Sequence, residues 1–276
     1  AYTNENPSPY IIYDAGWIRV LHDPNFAWKP GWKQAVLGYE NASRILFTNV
    51  DTYDIFMEHG YSPERIRYTP FAVDTDLYKP VGQHATRNGP TFFMPSRPDW
   101  RVKGTDRAVH AFKRYLKRQP KAHLILVDWG STQRDYVATK RLVNQLGISD
   151  AVRWVPLMPK RMLVKYYGVV DAVLDQFVIG ALGTTGPEAM ACEKPLICYV
   201  DSDPWMRWHR SVPPVLNCNT VDGIYERMVQ VEDAGVREKY GTLGRRWVLK
   251  TCSLEVVARH QLKIYKETLA EAMPCA

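Results

Sequence analysis

The residues of this chain that can do chemistry together are concentrated in the run Gly183-Thr184-Thr185-Gly186-Pro187-Glu188-Ala189-Met190-Ala191, followed by Lys194-Pro195-Leu196-Ile197. The run reads as a glycine-broken loop, a short helix with a carboxylate in its first turn, and then a buried strand. Amides at a helix N-terminus are unpaired and carry partial positive charge, so they attract anions. A carboxylate a few residues further on can take both hydroxyls of a ribose. The alternative for Glu188 is a partner for the helix dipole, and for the loop a helix cap with no ligand. On the first reading one element holds the phosphate and the sugar of a nucleotide.

The elements that must position this run alternate between strand and helix from about residue 90. Thr91–Met94 reads as a strand, and Gly104-Thr105-Asp106 opens a helix with Ala108, Phe112, Tyr115 and Leu116 on one face. His123–Val127 is a continuous apolar strand, as expected where both faces of a sheet are covered. Ser131 can cap the next helix, which ends at Gly147. Val152–Val155 is a short strand, Pro159–Tyr167 a helix starting on proline, Asp171–Asp175 a strand and Leu196–Val200 another. Thr220 can cap a helix to about Asp233, and Arg237–Met273 is mainly helical. This spacing predicts an α/β fold with a doubly wound parallel sheet, in which ligands bind at the carboxyl ends of the strands. The loops after Met94, Val127, Val155 and Asp175 lie there. Before residue 80 the pattern thins: a strand at Tyr10–Tyr13, a helix over Trp32–Arg44, strands at Ile45–Phe47 and Arg65–Tyr68, and a helix over Thr52–His59 stopped by Gly60. Pro80–Pro90 reads as a linker.

The 276 residues allow one large domain or two small ones, and 46% hydrophobic content is enough for a packed core. No apolar run approaches the roughly 18–20 residues of a membrane span. The chain opens on Ala1-Tyr2-Thr3-Asn4, which looks like a processed, cut or partial start. Five cysteines (192, 198, 218, 252 and 275) are widely spaced with no Cys-x-x-Cys pair, which suggests free thiols in a reducing cytosol. The net charge of +7 favours anionic partners. Lys113, Arg114, Lys117, Arg118 and Lys121 crowd one helix; a solvated face and attraction to an acidic surface are both open readings.

Several motifs in order resemble those of the retaining GT-B glycosyltransferases, family 4. Pro70–Pro80 looks like the family's interdomain segment. Ser96-Arg97 through Lys103-Gly104 is similar to its Gly-Arg…Glu-Lys-Gly loop. Leu126–Gly130 is similar to the strand ending in Gly-x-Gly, and Val152–Asp171 to the strand, loop, helix and strand that hold the base. Glu188–Pro195 looks like Glu-Ala-Met-Ala-x-Gly-Lys-Pro. The resemblance covers about residues 40–270. One departure stands out: the family pairs two glutamates eight positions apart, and the first would fall on Gly180.

The resemblance implies a GT-B fold with an incomplete second Rossmann-like domain. Residues 1–80 would be the end of the acceptor-side domain, 81–255 the donor-binding domain, and 256–276 a C-terminal helix returning to the first. The remainder of the acceptor half would lie on a further segment or on another chain. It also implies transfer of a sugar from a UDP- or GDP-linked donor to a glycan, lipid-linked or protein acceptor, with retention and with no metal or other cofactor. Such a transfer builds negative charge on the leaving phosphates, so cations are needed there. Arg97 and Lys103 match those cations. Gly183 lets the backbone approach the donor, Thr184, Thr185 and Gly186 face the pyrophosphate, and Glu188 takes the ribose. The base would lie along Val155–Met158, at Leu157. Asp201-Ser202-Asp203 fits a metal motif but reads as a turn. His22 is a candidate on the acceptor side, and Trp100, Trp129 and Trp205 are candidate sugar-stacking residues, with core packing as the alternative. The expected place of action is the cytoplasm or the inner membrane face, with no nucleic-acid partner. A non-catalytic nucleotide-sugar-binding module and a basic membrane- or nucleic-acid-binding domain are the competing readings.

Overall fold

The computed structural model describes residues 9–82, 89–129 and 134–272. The chain divides into two compact units: residues up to Ala72 together with Leu254 onward, and Val73–Ser253.

The first unit holds β1 (Ile11–Asp14), α1 (Ile18–Leu21), α2 (Trp32–Asn41), β2 (Arg44–Phe47), α3 (Tyr53–Glu58) and β3 (Ile66–Tyr68). Its three strands are parallel in the order β1-β2-β3, with Ile12 opposite Ile45 and Ile45 opposite Ile66. The central strand is the core: Ile45, Leu46 and Phe47 are fully buried. Helix α2 stops at Asn41, short of the Arg44 expected from sequence, because Arg44 already pairs in β2. The helix expected over Thr52–His59 opens as a 3-10 turn, Val50–Thr52, before α3.

The second unit runs β4 (Thr91–Met94), α4 (Thr105–Arg118), β5 (His123–Asp128), α5 (Arg134–Gln145), β6 (Val152–Pro156), α6 (Lys160–Val169), β7 (Ala172–Leu174), α7 (Thr185–Ala191), β8 (Leu196–Cys198), α8 (Ser202–His209), β9 (Leu216–Asn217), α9 (Val221–Gln230) and α10 (Ala234–Thr251). All strand pairs are parallel, in the order β6-β5-β4-β7-β8-β9. Phe92, Met94, Leu124, Leu126, Ala172, Leu174 and Ile197 from the strands pack with Phe112 and Tyr115 of α4 in one core. Such strands, buried on both faces, read as unbroken apolar runs. The tripeptide read as a turn opens a helix instead. Asp201 is the N-cap of α8, its side chain accepting from the Asp203 amide at 3.3 Å. Thr220 caps α9 as expected, accepting from the Gly223 amide at 3.0 Å. Gly130 and Ser131 lie outside the described residues.

This order fixes where a ligand can sit. The chain winds outward from β4 through β5 to β6, then returns to β7 on the other side of β4 and winds the opposite way. The crevice of such a sheet opens at this reversal, beyond the carboxyl ends of β4 and β7. The β4–α4 loop carries Arg97 and Lys103. The β7–α7 loop carries Gly180–Thr184.

The last helix, α11 (Leu254–Ala272), belongs to the first unit. His260 Nε2 lies 2.9 Å from the Tyr68 carbonyl oxygen, and Arg44 pairs with Glu271. No helix among the described residues is long and apolar enough to cross a membrane. The basic face of α4 is partly neutralised: Arg114 pairs with Asp222, and Arg118 with Glu232 at 3.0 Å.

Candidate functional site

The two loops at the sheet reversal are joined through their backbones. The Phe177 amide donates to the Lys103 carbonyl at 3.0 Å, and Arg107 donates to the Phe177 carbonyl at 2.8 Å. Gly104, the N-cap of α4, has φ +65°, and a Cβ there would come 3.1 Å from the Phe177 Cβ. A left-handed glycine therefore suits both the turn and the contact. Upstream, Asp99 braces the loop. Its side chain accepts from the Val102 amide at 2.8 Å, and its carbonyl accepts from the Lys103 amide at 3.2 Å.

Lys103 points into the β7 side of the crevice. Its Nζ lies 3.0 Å from Asp175 Oδ1, at the end of β7; the lysine side chain is 19% exposed and the aspartate side chain 0%. A Cβ placed on Gly183 would lie 3.7 Å from the same Nζ, so the ammonium sits beside the glycine of the loop. Lys103 and Gly183, named from sequence, are brought together; the sequence reading gives Asp175, their partner, no site role.

Glu188 lies in the first turn of α7 and is 5% exposed. Its Oε1 accepts from Lys160 Nζ, the first residue of α6, at 2.9 Å. On the inner side the phenols of Tyr78 and Tyr167 are buried. Burial, then the Glu188 charge, raises both above the ordinary tyrosine range. The carboxylate is thus buried on its inner side and capped from without by an exposed lysine. Lys160 is a second residue that sequence reasoning missed. No motif flags it; only the fold brings the start of α6 to the start of α7.

The other named residues fall differently. Gly186 is buried in α7, where a Cβ would come 2.9 Å from Leu196 Cδ2. Its glycine serves close helix-to-strand packing. Thr184 is exposed and Thr185 half-buried at the helix start. Pro187 carries no N–H, so the turn offers fewer amides than an ordinary one. Leu157, just past β6, is 60% exposed. Arg97 is half-exposed and lies 3.5 Å from Asp99. It lines a cavity of about 290 Å³ with Pro98, Asp99, Asp135 and Arg134, a further arginine.

Two candidate stacking residues are taken up by packing. Trp205 is buried, 5.0 Å from the His209 ring and 5.8 Å from Trp247. Trp100 donates through Nε1 to Thr139 at 2.9 Å, whereas Trp129 stays 41% exposed. In the first unit, His22 stacks on His59 at 4.2 Å and its Nε2 lies 3.1 Å from the Tyr61 hydroxyl. Burial, then His59, lowers its pKa. The described residues contain no cluster of three or more His, Cys, Asp or Glu able to hold a metal.

Residues 82–204, which span both loops, match the family model of the glycosyl transferases group 1. Among curated relatives, the D-inositol 3-phosphate glycosyltransferase of Acidothermus cellulolyticus is 27% identical over 152 residues, 50% of this chain and 34% of that protein. The MMP alpha-(1->4)-mannosyltransferase of Mycolicibacterium hassiacum is 23% identical over 245 residues, 84% of this chain and 55% of that protein. The chain therefore spans about a third to a half of the length of the relatives it matches. Among solved structures, Anabaena Alr3699/HepE in complex with UDP-glucose superposes with a TM-score of 0.76 at 15% identity, covering 94% of this chain and 72% of that one. Sucrose-phosphate synthase from Thermosynechococcus elongatus superposes at 0.70 with 17% identity, covering 95% and 68%. The fold is of the GT-B type.

Two of the positions that depart from the pattern these motifs resemble have a physical account in the structure. Gly180 has φ +75°, and a Cβ there would lie 2.8 Å from Asp201 Cβ and 3.0 Å from the Asp201 amide nitrogen. Its carbonyl accepts from that amide at 2.9 Å and from Trp205 Nε1 at 3.2 Å. The place of the first glutamate is closed to any side chain, not merely vacated. Glu193, where the pattern has glycine, has φ +56°. It ends α7 in a Schellman turn: its amide bonds to the Met190 carbonyl at 3.0 Å, and the Lys194 amide to Ala189 at 3.1 Å.

Proposed function

We propose that this chain carries the donor-binding part of a retaining glycosyltransferase, which moves a sugar from a UDP- or GDP-linked donor to a glycan, lipid-linked or protein acceptor. The observation that carries the reading is the meeting of Lys103 and Gly183 at the sheet reversal of the segment that matches the group 1 family model. UDP-glucose in the complex of the similar Alr3699/HepE fold supports a nucleotide-sugar donor.

On this reading the Lys103 ammonium meets the charge that develops on the leaving phosphates. Arg97, on the same loop, can reach them with its planar fork. The backbone of Gly183–Gly186 approaches the diphosphate. Glu188 exchanges the Lys160 ammonium for the ribose hydroxyls, and the base lies along the exposed Leu157. The leaving phosphate takes the acceptor proton on the face from which the sugar departs. We propose no resident cofactor and no metal: of the two Asp-x-Asp runs, Asp201-Ser202-Asp203 caps α8 and Asp74 of Asp74-Thr75-Asp76 accepts from the Asp76 and Leu77 amides. Free thiols at Cys192, Cys198, Cys218 and Cys252 support a reducing compartment, which we propose to be the cytoplasm.

A thermal-shift series with UDP, GDP, ADP and TDP tests the reading. One nucleotide should raise the melting temperature, by about 2.7 kcal/mol of added stability at a hundredfold excess over Kd. Glu188→Gln and Lys103→Gln should each abolish most of that rise. No rise with any nucleotide would overturn the donor site. Binding with no donor hydrolysis or transfer would overturn the enzyme reading alone.

A further inference from the structure

The Asp175 carboxylate is the most buried charge in the site, and the reading above gives it no task. Its side chain is wholly buried, Oδ1 meets Lys103 Nζ at 3.0 Å, and Oδ2 is buried with no hydrogen-bond partner. Its charge is felt around it: after burial, Asp175 is the next influence raising the Cys198 thiol, and it also contributes to raising Tyr167. A buried carboxylate held by a single ammonium is poorly compensated, so the pair needs a reason beyond stability. That reason lies in where the ammonium is put. Lysine is a point charge on a flexible four-carbon stem. Here the stem's end is pinned beside Gly183, at the mouth of the loop that has no side chain to fill it.

We propose that Asp175 is the positioning residue for Lys103, holding its ammonium over the diphosphate site before a nucleoside diphosphate arrives; this rests on the donor reading above. The main chain alone does not do this. The Phe177–Lys103 and Lys103–Asp99 backbone bonds fix the Cα of Lys103, but four rotatable bonds separate it from Nζ. Two effects of losing Asp175 oppose each other. Its repulsion of the phosphates disappears, which favours binding. The ammonium also loses its counter-charge in a site where the side chain is four-fifths covered. A covered, uncompensated ammonium turns toward water, and once there it supplies neither attraction nor position, so the second effect wins.

Titration calorimetry on the whole 276-residue chain, with UDP and uridine and with GDP and guanosine, tests this. Asp175→Asn should weaken the diphosphate at least about tenfold and leave the nucleoside unchanged. Lys103→Gln should show the same selective loss, and the double variant should lose no more than Lys103→Gln alone, because the aspartate acts through the lysine. If the Asn variant does not fold, Asp175→Ser takes its place, leaving room for water beside the ammonium. Selective loss in Lys103→Gln with unchanged or tighter binding in the Asp175 variant overturns the inference and leaves the donor reading standing. Equal loss of diphosphate and nucleoside in the Asp175 variant shows a merely structural residue and also overturns it. Unchanged binding in Lys103→Gln, or no binding of either diphosphate to the unaltered chain, overturns both.

Discussion

Two lysine–carboxylate pairs stand in the same crevice with nearly the same geometry and opposite surroundings. Lys103 meets Asp175 at 3.0 Å, with the lysine side chain 19% and the aspartate 0% exposed. Lys160 meets Glu188 at 2.9 Å, with the lysine 66% and the glutamate 6% exposed. In the first pair both charges are withdrawn from water and each depends on the other. In the second the carboxylate is buried at the start of its helix, while the lysine is a solvated tether that can be exchanged. Distance alone does not separate them. Solvation decides which lysine is a fixture and which a placeholder that a ribose can displace.

The sharpest way to break this comparison is to remove each lysine in turn and measure unfolding in urea. Lys103→Met should cost about 3–5 kcal/mol, because it strands a buried charge. Lys160→Met should cost less than about 1 kcal/mol, because an exposed partner contributes little. Equal costs would show that the two pairs are alike. The measurement belongs above pH 7, since a titrating histidine elsewhere in the second unit otherwise contributes. His209, half-buried against Trp205 and Trp247, has its pKa lowered from 6.5 to about 4 by burial. The unfolded chain binds that proton first, so stability is full above pH 6.5 and falls as the pH drops toward 4. The loss approaches roughly 3 kcal/mol by linkage, and His209→Gln should flatten the profile. A smaller effect separates the pairs by ligand: Lys103→Gln should weaken UDP by at least about tenfold, or about 1.4 kcal/mol. Lys160→Gln should leave UDP within about threefold, as read by titration calorimetry. Smallest is a gain at the other end of the helix that carries Glu188. Glu193→Gly relieves a left-handed backbone and should add about 1 kcal/mol, raising Tm by about 2–4 °C in calorimetry without altering either pair.

Much of the second unit was legible because its strands are covered on both faces and read as apolar runs. His123–Val127 and Leu196–Cys198 could not be mistaken for anything exposed. What escaped was short or ambiguous: β9 has two residues, and Ser202-Asp203-Pro204 has the composition of a turn although Asp201 caps a helix there. The site divided in the same way. Lys103 and Glu188 sit in local motifs, so sequence reached them. Their partners are 72 and 28 residues away, and only the strand order β4-β7 and the meeting of α6 with α7 select them. Gly180 shows the limit from the other side. Sequence revealed a missing carboxylate, but not that Asp201 and Tyr199 close the space it would need.

The helix α11 has a consequence for how the chain comes into being. The first unit needs residues from both ends of the chain, with the whole second unit between them. On a ribosome adding about 5–20 residues per second, the three strands of the first unit wait roughly 10–40 s for α11 to join them. The second unit, contiguous in sequence, can finish folding meanwhile. Within this stretch the earlier strands meet α11 late, and during that interval Ile45–Phe47 and their neighbours are the segment a chaperone would meet.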